Sequence, residues 1–211
     1  RGALRIQYFT KKSVPFLERF LFHFYSCQKI FMMKKLLFLL TLLAVGYVNA
    51  QEINWITMNE ALAAQQENPK KIFMDVYTTW CGPCKMMDRN TFTSKDVIDY
   101  INDNYYAVKF NAEGTEEITF EDFTYANPNY QEGRKGRNTT HFFADALKLR
   151  GYPSLVFFGS DGALIQAIPG YKTPSQLEIY LKMIGTDDYL KVVTAEEWAD
   201  YQENFKGTFK G

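Results

Sequence analysis

The sequence predicts an α/β domain with a mixed central sheet flanked by helices, and three observations carry the prediction. Apolar runs of strand length at 71–77, 105–111 and 155–158 alternate with stretches of helical period, as in strands joined by helical crossovers. The segment Trp80-Cys81-Gly82-Pro83-Cys84 stands where the first run gives way to a helix. Further along, Ser160-Asp161-Gly162 separates two apolar runs and marks a hairpin, which adds an antiparallel pair to the parallel one.

Each element follows from local chemistry. Thr57 is placed to cap a helix over 58–67, which Asn68-Pro69 stops. Residues 71–77 are apolar almost throughout, as a buried strand requires, with Lys71 at the start and Asp75 inside as the exceptions. The chain turns at 78–80. Pro83 then falls in the first helical turn, where a missing N–H costs nothing, and the helix continues through Lys85, Met86, Met87 and Asp88. Ser94 is a cap candidate for a helix bearing Val97, Ile98 and Ile101, which leads to the strand 105–111. Residues 112–138 are rich in Glu, Asn, Tyr and Gly, and both Asn127-Pro128-Asn129 and Gly133-Arg134-Lys135-Gly136-Arg137-Asn138 read as loop punctuation. This segment is expected to be an insertion.

A helix over 140–149, the strand 155–158 and a returning strand 163–168 follow. Pro174 opens a helix with Leu177, Tyr180, Leu181 and Ile184 on one face, so residues 70–185 read β-α-β-α-β-β-α. Thr194 is placed to cap one more helix through Phe205, within a C-terminal helical extension at 191–211. His141 has no partner at a catalytic spacing and is expected to be a helix or loop residue.

Ahead of the domain, Met33-Lys34-Lys35 leads into the apolar run 36–45, which ends at Val48-Asn49-Ala50. This is the outline of a secretory signal peptide over 33–50, with cleavage near Ala50, an uncleaved N-terminal anchor being the alternative. Residues 1–32 are basic and aromatic without a helical period, and are expected to be an over-extended start ahead of Met32 or Met33. Removing residues 1–50 changes the charge. They hold eight of the 24 Lys and Arg and one of the 24 Asp and Glu, which leaves 16 against 23, a net of −7. Such a chain argues against nucleic acid or an anionic membrane as partner, and residues 51–190 suffice for one domain with its own core.

Of three cysteines, only Cys81 and Cys84 follow residue 50. A disulfide closing so small a ring removes little chain entropy, so stabilisation is a poor reason for it. Two thiols also fall short of a four-ligand zinc site, and no His or second C-x-x-C lies at a suitable spacing, so no metal is expected. Redox exchange fits best, in the oxidising compartment an exported chain enters. A cysteine in a helix's first turn has its thiolate stabilised by unpaired N–H groups and the positive end of the helix dipole, which makes Cys81 the candidate nucleophile and Cys84 the resolving thiol. No dinucleotide or flavin motif appears, so no cofactor is expected.

Over residues 53–185 the chain resembles the thioredoxin superfamily. Cys81-Gly82-Pro83-Cys84 followed by Lys85 is similar to the family's active-site sequence, and Pro153 after Gly151-Tyr152 to its cis-proline. Asp75, six residues before Cys81, resembles the family's buried aspartate, and Lys109 the lysine beside it, while Gly162 and Gly170 fall at its usual turn and bend. The resemblance is nearest to secreted thioredoxin-like domains of bacterial envelopes. It implies a thioredoxin fold with the insertion before the cis-proline strand, a Cys81–Cys84 disulfide, and a substrate surface of Trp80, Gly82, Pro83, Tyr152 and Pro153. It also implies that Asp75 moves the proton of Cys84 and that Lys109 tunes Asp75 by charge.

Two departures stand out. Forty-three residues separate Lys109 from Pro153, where thioredoxins have a short connection, and Tyr152 and Ser154 flank the proline in place of a small aliphatic residue and a threonine. The expected activity is thiol–disulfide oxidoreduction on exported proteins. The expected partners are envelope protein thiols and disulfides with a membrane-embedded electron donor, and the chain is expected to be a monomer. An oxidase or isomerase, or a non-catalytic binding module with this fold, is the alternative.

Overall fold

The computed structural model describes residues 32–35 and 51–210. The chain divides into two compact units, 1–50 and 51–211. Of the first, only a short helical stretch at 32–35 is described, so the expected over-extended start and most of the expected leader lie outside the described residues. No helix among the described residues is long and apolar enough to cross a membrane.

The second unit is built on a five-stranded mixed sheet with the order β1-β3-β2-β6-β7. Its strands are β1 (Trp55–Ile56), β2 (Lys71–Tyr77), β3 (Tyr105–Asn111), β6 (Ser154–Phe158) and β7 (Leu164–Pro169). β1 and β2 both run parallel to β3, whereas β6 is antiparallel to β2 and to β7. The helices are α1 (Met58–Glu67), α2 (Gly82–Asn90), α3 (Lys95–Asn104), α4 (Phe142–Ala146), α5 (Pro174–Gly185) and α6 (Ala195–Asn204), and a hairpin of β4 (Ile118–Phe120) and β5 (Phe123–Tyr125) stands apart from the main sheet. The α/β expectation holds, and the sheet gains the two-residue β1, which has too little length to show a period.

Alternation along β2 divides the core. Ile72, Met74 and Val76 face a cluster with Met58 and Ala61 of α1 and Phe143 of α4, whereas Phe73 faces Met87 of α2, Val97 and Ile101 of α3, and Leu177 and Leu181 of α5. Asp75 shares the pleat face of Phe73. It therefore projects to the side covered by α2.

Caps explain where the helices begin. Thr57 with Glu60, Thr173 with Gln176 and Thr194 with Glu197 each form a complete capping box. Ser94 precedes α3 as expected, but its side chain makes no capping hydrogen bond. The helix expected over 140–149 shrinks to five residues: His141 caps it from outside, and Lys148 ends it in the left-handed region at φ 51°. Gly162 and Gly170 adopt φ of 81° and 87°, values that favour glycine at the β6–β7 turn and at the bend after β7.

The segment 112–138 is more ordered than its composition implied. Ile118 of its hairpin is fully buried, and Phe120 and Tyr125 pack their rings on Phe143. The C-terminal extension is also more than one helix. Trp198 of α6 stacks on Tyr180 of α5, and the chain then doubles back so that the amides of Thr208 and Phe209 donate to the buried Glu178 carboxylate.

Candidate active site

The cysteine pair lies at the β2–α2 junction. Cys81 has extended backbone and is the N-cap of α2, its Sγ accepting from the Cys84 N–H at 3.1 Å. Gly82 and Pro83 occupy the first turn, and space beside Gly82 is open. The two cysteines form a disulfide with Cα atoms 5.3 Å apart. Cys84 and Met87 are the buried residues of α2, three positions apart on the face turned to the sheet. Thiol exchange calls for an exposed sulfur, yet Cys81 is only 2% exposed, as buried as Cys84.

Beneath α2 lies a three-membered charge cluster. Asp75 on β2 and Lys109 on β3 are register partners, and Lys109 Nζ sits 2.7 Å from Asp75 Oδ2. The same ammonium donates to Asp88 of α2. It is boxed by rings, with Trp55 and Phe92 each 5.0 Å and Tyr77 5.2 Å from Nζ to the ring centroid. Asp75 is 1% exposed, and its Oδ1 has no hydrogen-bond partner among the described residues. Burial pushes its carboxyl up to about 6 against the pull of Lys109, and the nearby Asp88 charge adds to the rise. Burial works against the Lys109 charge too, but Asp75 and Asp88 outweigh it and hold the ammonium above the ordinary lysine value.

The residues expected to form a substrate surface meet around Trp80. Its indole Nε1–H donates to Glu113 Oε2 at 2.9 Å, and its ring meets Tyr152 edge-on at 6.3 Å. The Tyr152–Pro153 peptide is cis, and Ser154 Oγ donates to the Gly151 carbonyl at 2.7 Å. The segment 112–138 reaches this place directly: the Arg137 guanidinium lies 4.4 Å over the Trp80 ring, and the Asn138 N–H donates to the same Glu113 oxygen at 2.8 Å. His141, fully buried, holds the end of the segment. Its Nδ1 accepts from the Phe143 N–H, leaving Nε2–H to donate to the Glu116 carbonyl at 2.6 Å. Burial lowers its pKa and keeps it neutral.

The residues expected to work together thus form two groups: Cys81, Cys84, Gly82 and Pro83 with Asp75 and Lys109 on the sheet below α2, and Trp80 with Tyr152 beside Pro153. Asp88, Glu113 and Arg137 were not expected. Asp88 falls on the lower face of α2, four residues after Cys84, a spacing that turns it toward the same side. Arg137 was visible as one cation of a basic run but read as loop.

Fold and site together define the class, a thioredoxin-fold protein with a closed dithiol pair at a helix N-terminus. A model of the thioredoxin-like domain family matches residues 58–185, more than half of the chain, and the chain belongs to that family. It is 25% identical over 127 residues to thiol:disulfide interchange protein DsbD of Pseudoalteromonas atlantica, and this stretch covers 59% of the chain and 18% of DsbD. The chain therefore spans less than a fifth of that relative. Among solved structures, a thioredoxin-fold protein from Helicobacter pylori superposes with a TM-score of 0.51 at 17% identity, over 74% of this chain and 88% of that one, a likeness of fold.

Proposed function

We propose that the protein is a thiol–disulfide oxidoreductase that reduces or exchanges disulfides of exported proteins and is itself re-reduced by a membrane-embedded donor. The observation that carries the reading is the closed Cys81–Cys84 pair at the N-terminus of α2, on the side of the sheet where Asp75 is buried with one oxygen unpartnered among the described residues. The activity named for the DsbD relative supports it.

In the reducing direction the Cys81 thiolate attacks one sulfur of a client disulfide, forming a mixed disulfide as the other client sulfur leaves. Asp75 then takes the proton of Cys84. The Cys84 thiolate attacks Cys81 Sγ, closing the internal disulfide and releasing the second client thiolate. Two electrons pass to the client, and the pair is oxidised. A carboxyl with a pKa of about 6 is suited to this, being ionised at neutral pH yet a stronger base than an ordinary aspartate.

Direction is argued from Gly82-Pro83. Neither residue adds positive charge beside Cys81, whose Sγ accepts from the Cys84 N–H, so the thiolate gains less stabilisation than a histidine in the dipeptide would give. Lower thiolate stability favours the disulfide in this protein and reduction of the client. A periplasmic or secreted location rests on the leader outline at 33–50. Insulin reduction by dithiothreitol tests the reading: the parent accelerates it, Cys81→Ser does not, and equal rates for the two would overturn the assignment.

A further inference from the structure

We propose that the rim beside Trp80, formed by the Arg134–Arg137 loop with Lys148 and Arg150, is a docking surface for an acidic client segment, and that Arg137 determines specificity there. The proposal rests on the oxidoreductase reading and adds the chemistry of the client.

Three observations carry it. The burial of Cys81, 2% exposed, means that a client sulfur reaches it only when the surrounding client chain is seated on the protein, so contacts next to the pair govern which clients react. Next to the pair is Trp80, and the insertion lays Arg137 across its ring at 4.4 Å with the arginine itself exposed. The carboxylate bonded to the indole, Glu113, is nearly buried, and its Oε2 already accepts from both Trp80 and Asn138. Arg137 thus presents donors outward beside an anchored indole.

Lys148 and Arg150 line a cavity of about 220 Å³ with Ser154, the residue after the cis-proline, and Pro169, its register partner on β7. All of Arg134, Lys135, Arg137, Lys148 and Arg150 are exposed. Residues 130–152 carry these five cations against two carboxylates, Glu132 and Asp145, in a chain that has 16 cations and 23 carboxylates after residue 50. On an otherwise acidic protein, whose surface repels acidic chains elsewhere, a positive rim repels basic chains here and steers acidic ones to this place.

The test uses three disulfide peptides of one length, with glutamate, alanine or lysine on both sides of each cysteine. The parent protein reduces the glutamate peptide fastest and the lysine peptide slowest, with a roughly tenfold spread in kcat/KM at low salt that shrinks as ionic strength rises. Arg137→Glu, and separately the pair Lys148→Glu and Arg150→Glu, invert the order. Equal rates for the three peptides, or an order that neither variant changes, would overturn the acidic-client assignment alone. Failure to reduce any of the three would overturn the oxidoreductase reading and this proposal with it.

Discussion

Replacing Asp75 with asparagine makes the protein gain stability relative to the parent as pH rises, by an amount the Asp75 carboxyl defines. Burial raises the carboxyl from 3.8 to about 6 in the folded state. Between those values the folded protein holds a proton that the unfolded chain has lost, so stability falls as pH rises through the window. A shift of this size amounts to about 3 kcal/mol, at 1.36 kcal/mol per pKa unit. Asparagine has no such window, and Lys109 keeps Asp88 as a partner. The stability difference between variant and parent therefore grows in favour of the variant by about 3 kcal/mol from about pH 3.5 to about pH 7.5. For a domain of this size that is a relative rise in melting temperature of roughly 6–12 °C. Urea unfolding of the oxidised forms at half-unit pH steps measures it. A difference that stays constant across the range would mean that Asp75 titrates as an ordinary aspartate, and the base role assigned to it would fall.

Other substitutions probe neighbouring parts of the account. Asp88→Asn leaves Lys109 wholly to Asp75 and lowers the Asp75 pKa, so the acid limb of the pH–rate profile for client reduction moves to lower pH; an unmoved limb would detach Asp88 from the chemistry. Glu178→Gln deprives Lys182 and the Thr208 and Phe209 amides of a buried carboxylate and costs about 3 kcal/mol in chemical denaturation, with faster hydrogen exchange at those two amides. Burial pushes Glu178 up, but the Lys182, Phe209 and Thr208 bonds outweigh it and hold its pKa below the ordinary value. The C-terminal clasp is accordingly firm above the ordinary glutamate range and loosens as pH falls through the lowered value, which the same exchange measurement follows.

The succession of strands and helices and the mixed sheet were legible because β2, β3 and β6 are largely apolar runs whose connections permit few topologies, and the cysteine pair because its spacing has few other uses. Residues 112–138 were not legible. Their order depends on contacts far apart in sequence, such as Asn59 Nδ2 donating to the Glu117 carbonyl and Asn127 Nδ2 to the Gly114 and Thr139 carbonyls, and polar residues that read as loop punctuation are the ones making them. The same reason hid Arg137, since a basic residue in a glycine-rich loop gives no sign of the indole it will cover. Lys109 was legible only through the resemblance that sets it beside Asp75. Its burial follows from register: pairing with Asp75 across the parallel ladder places it under α2 among three rings.

The equilibrium of the Cys81–Cys84 couple with glutathione tests the central claim most directly. A reducing enzyme with Gly82-Pro83 between its cysteines and the Cys84 N–H on Cys81 Sγ has a potential near that of thioredoxin, about −270 mV. A value near about −120 mV, the oxidising end of the range, would contradict it by making the protein a disulfide donor, and a pair that does not exchange with glutathione at all would remove the redox function altogether.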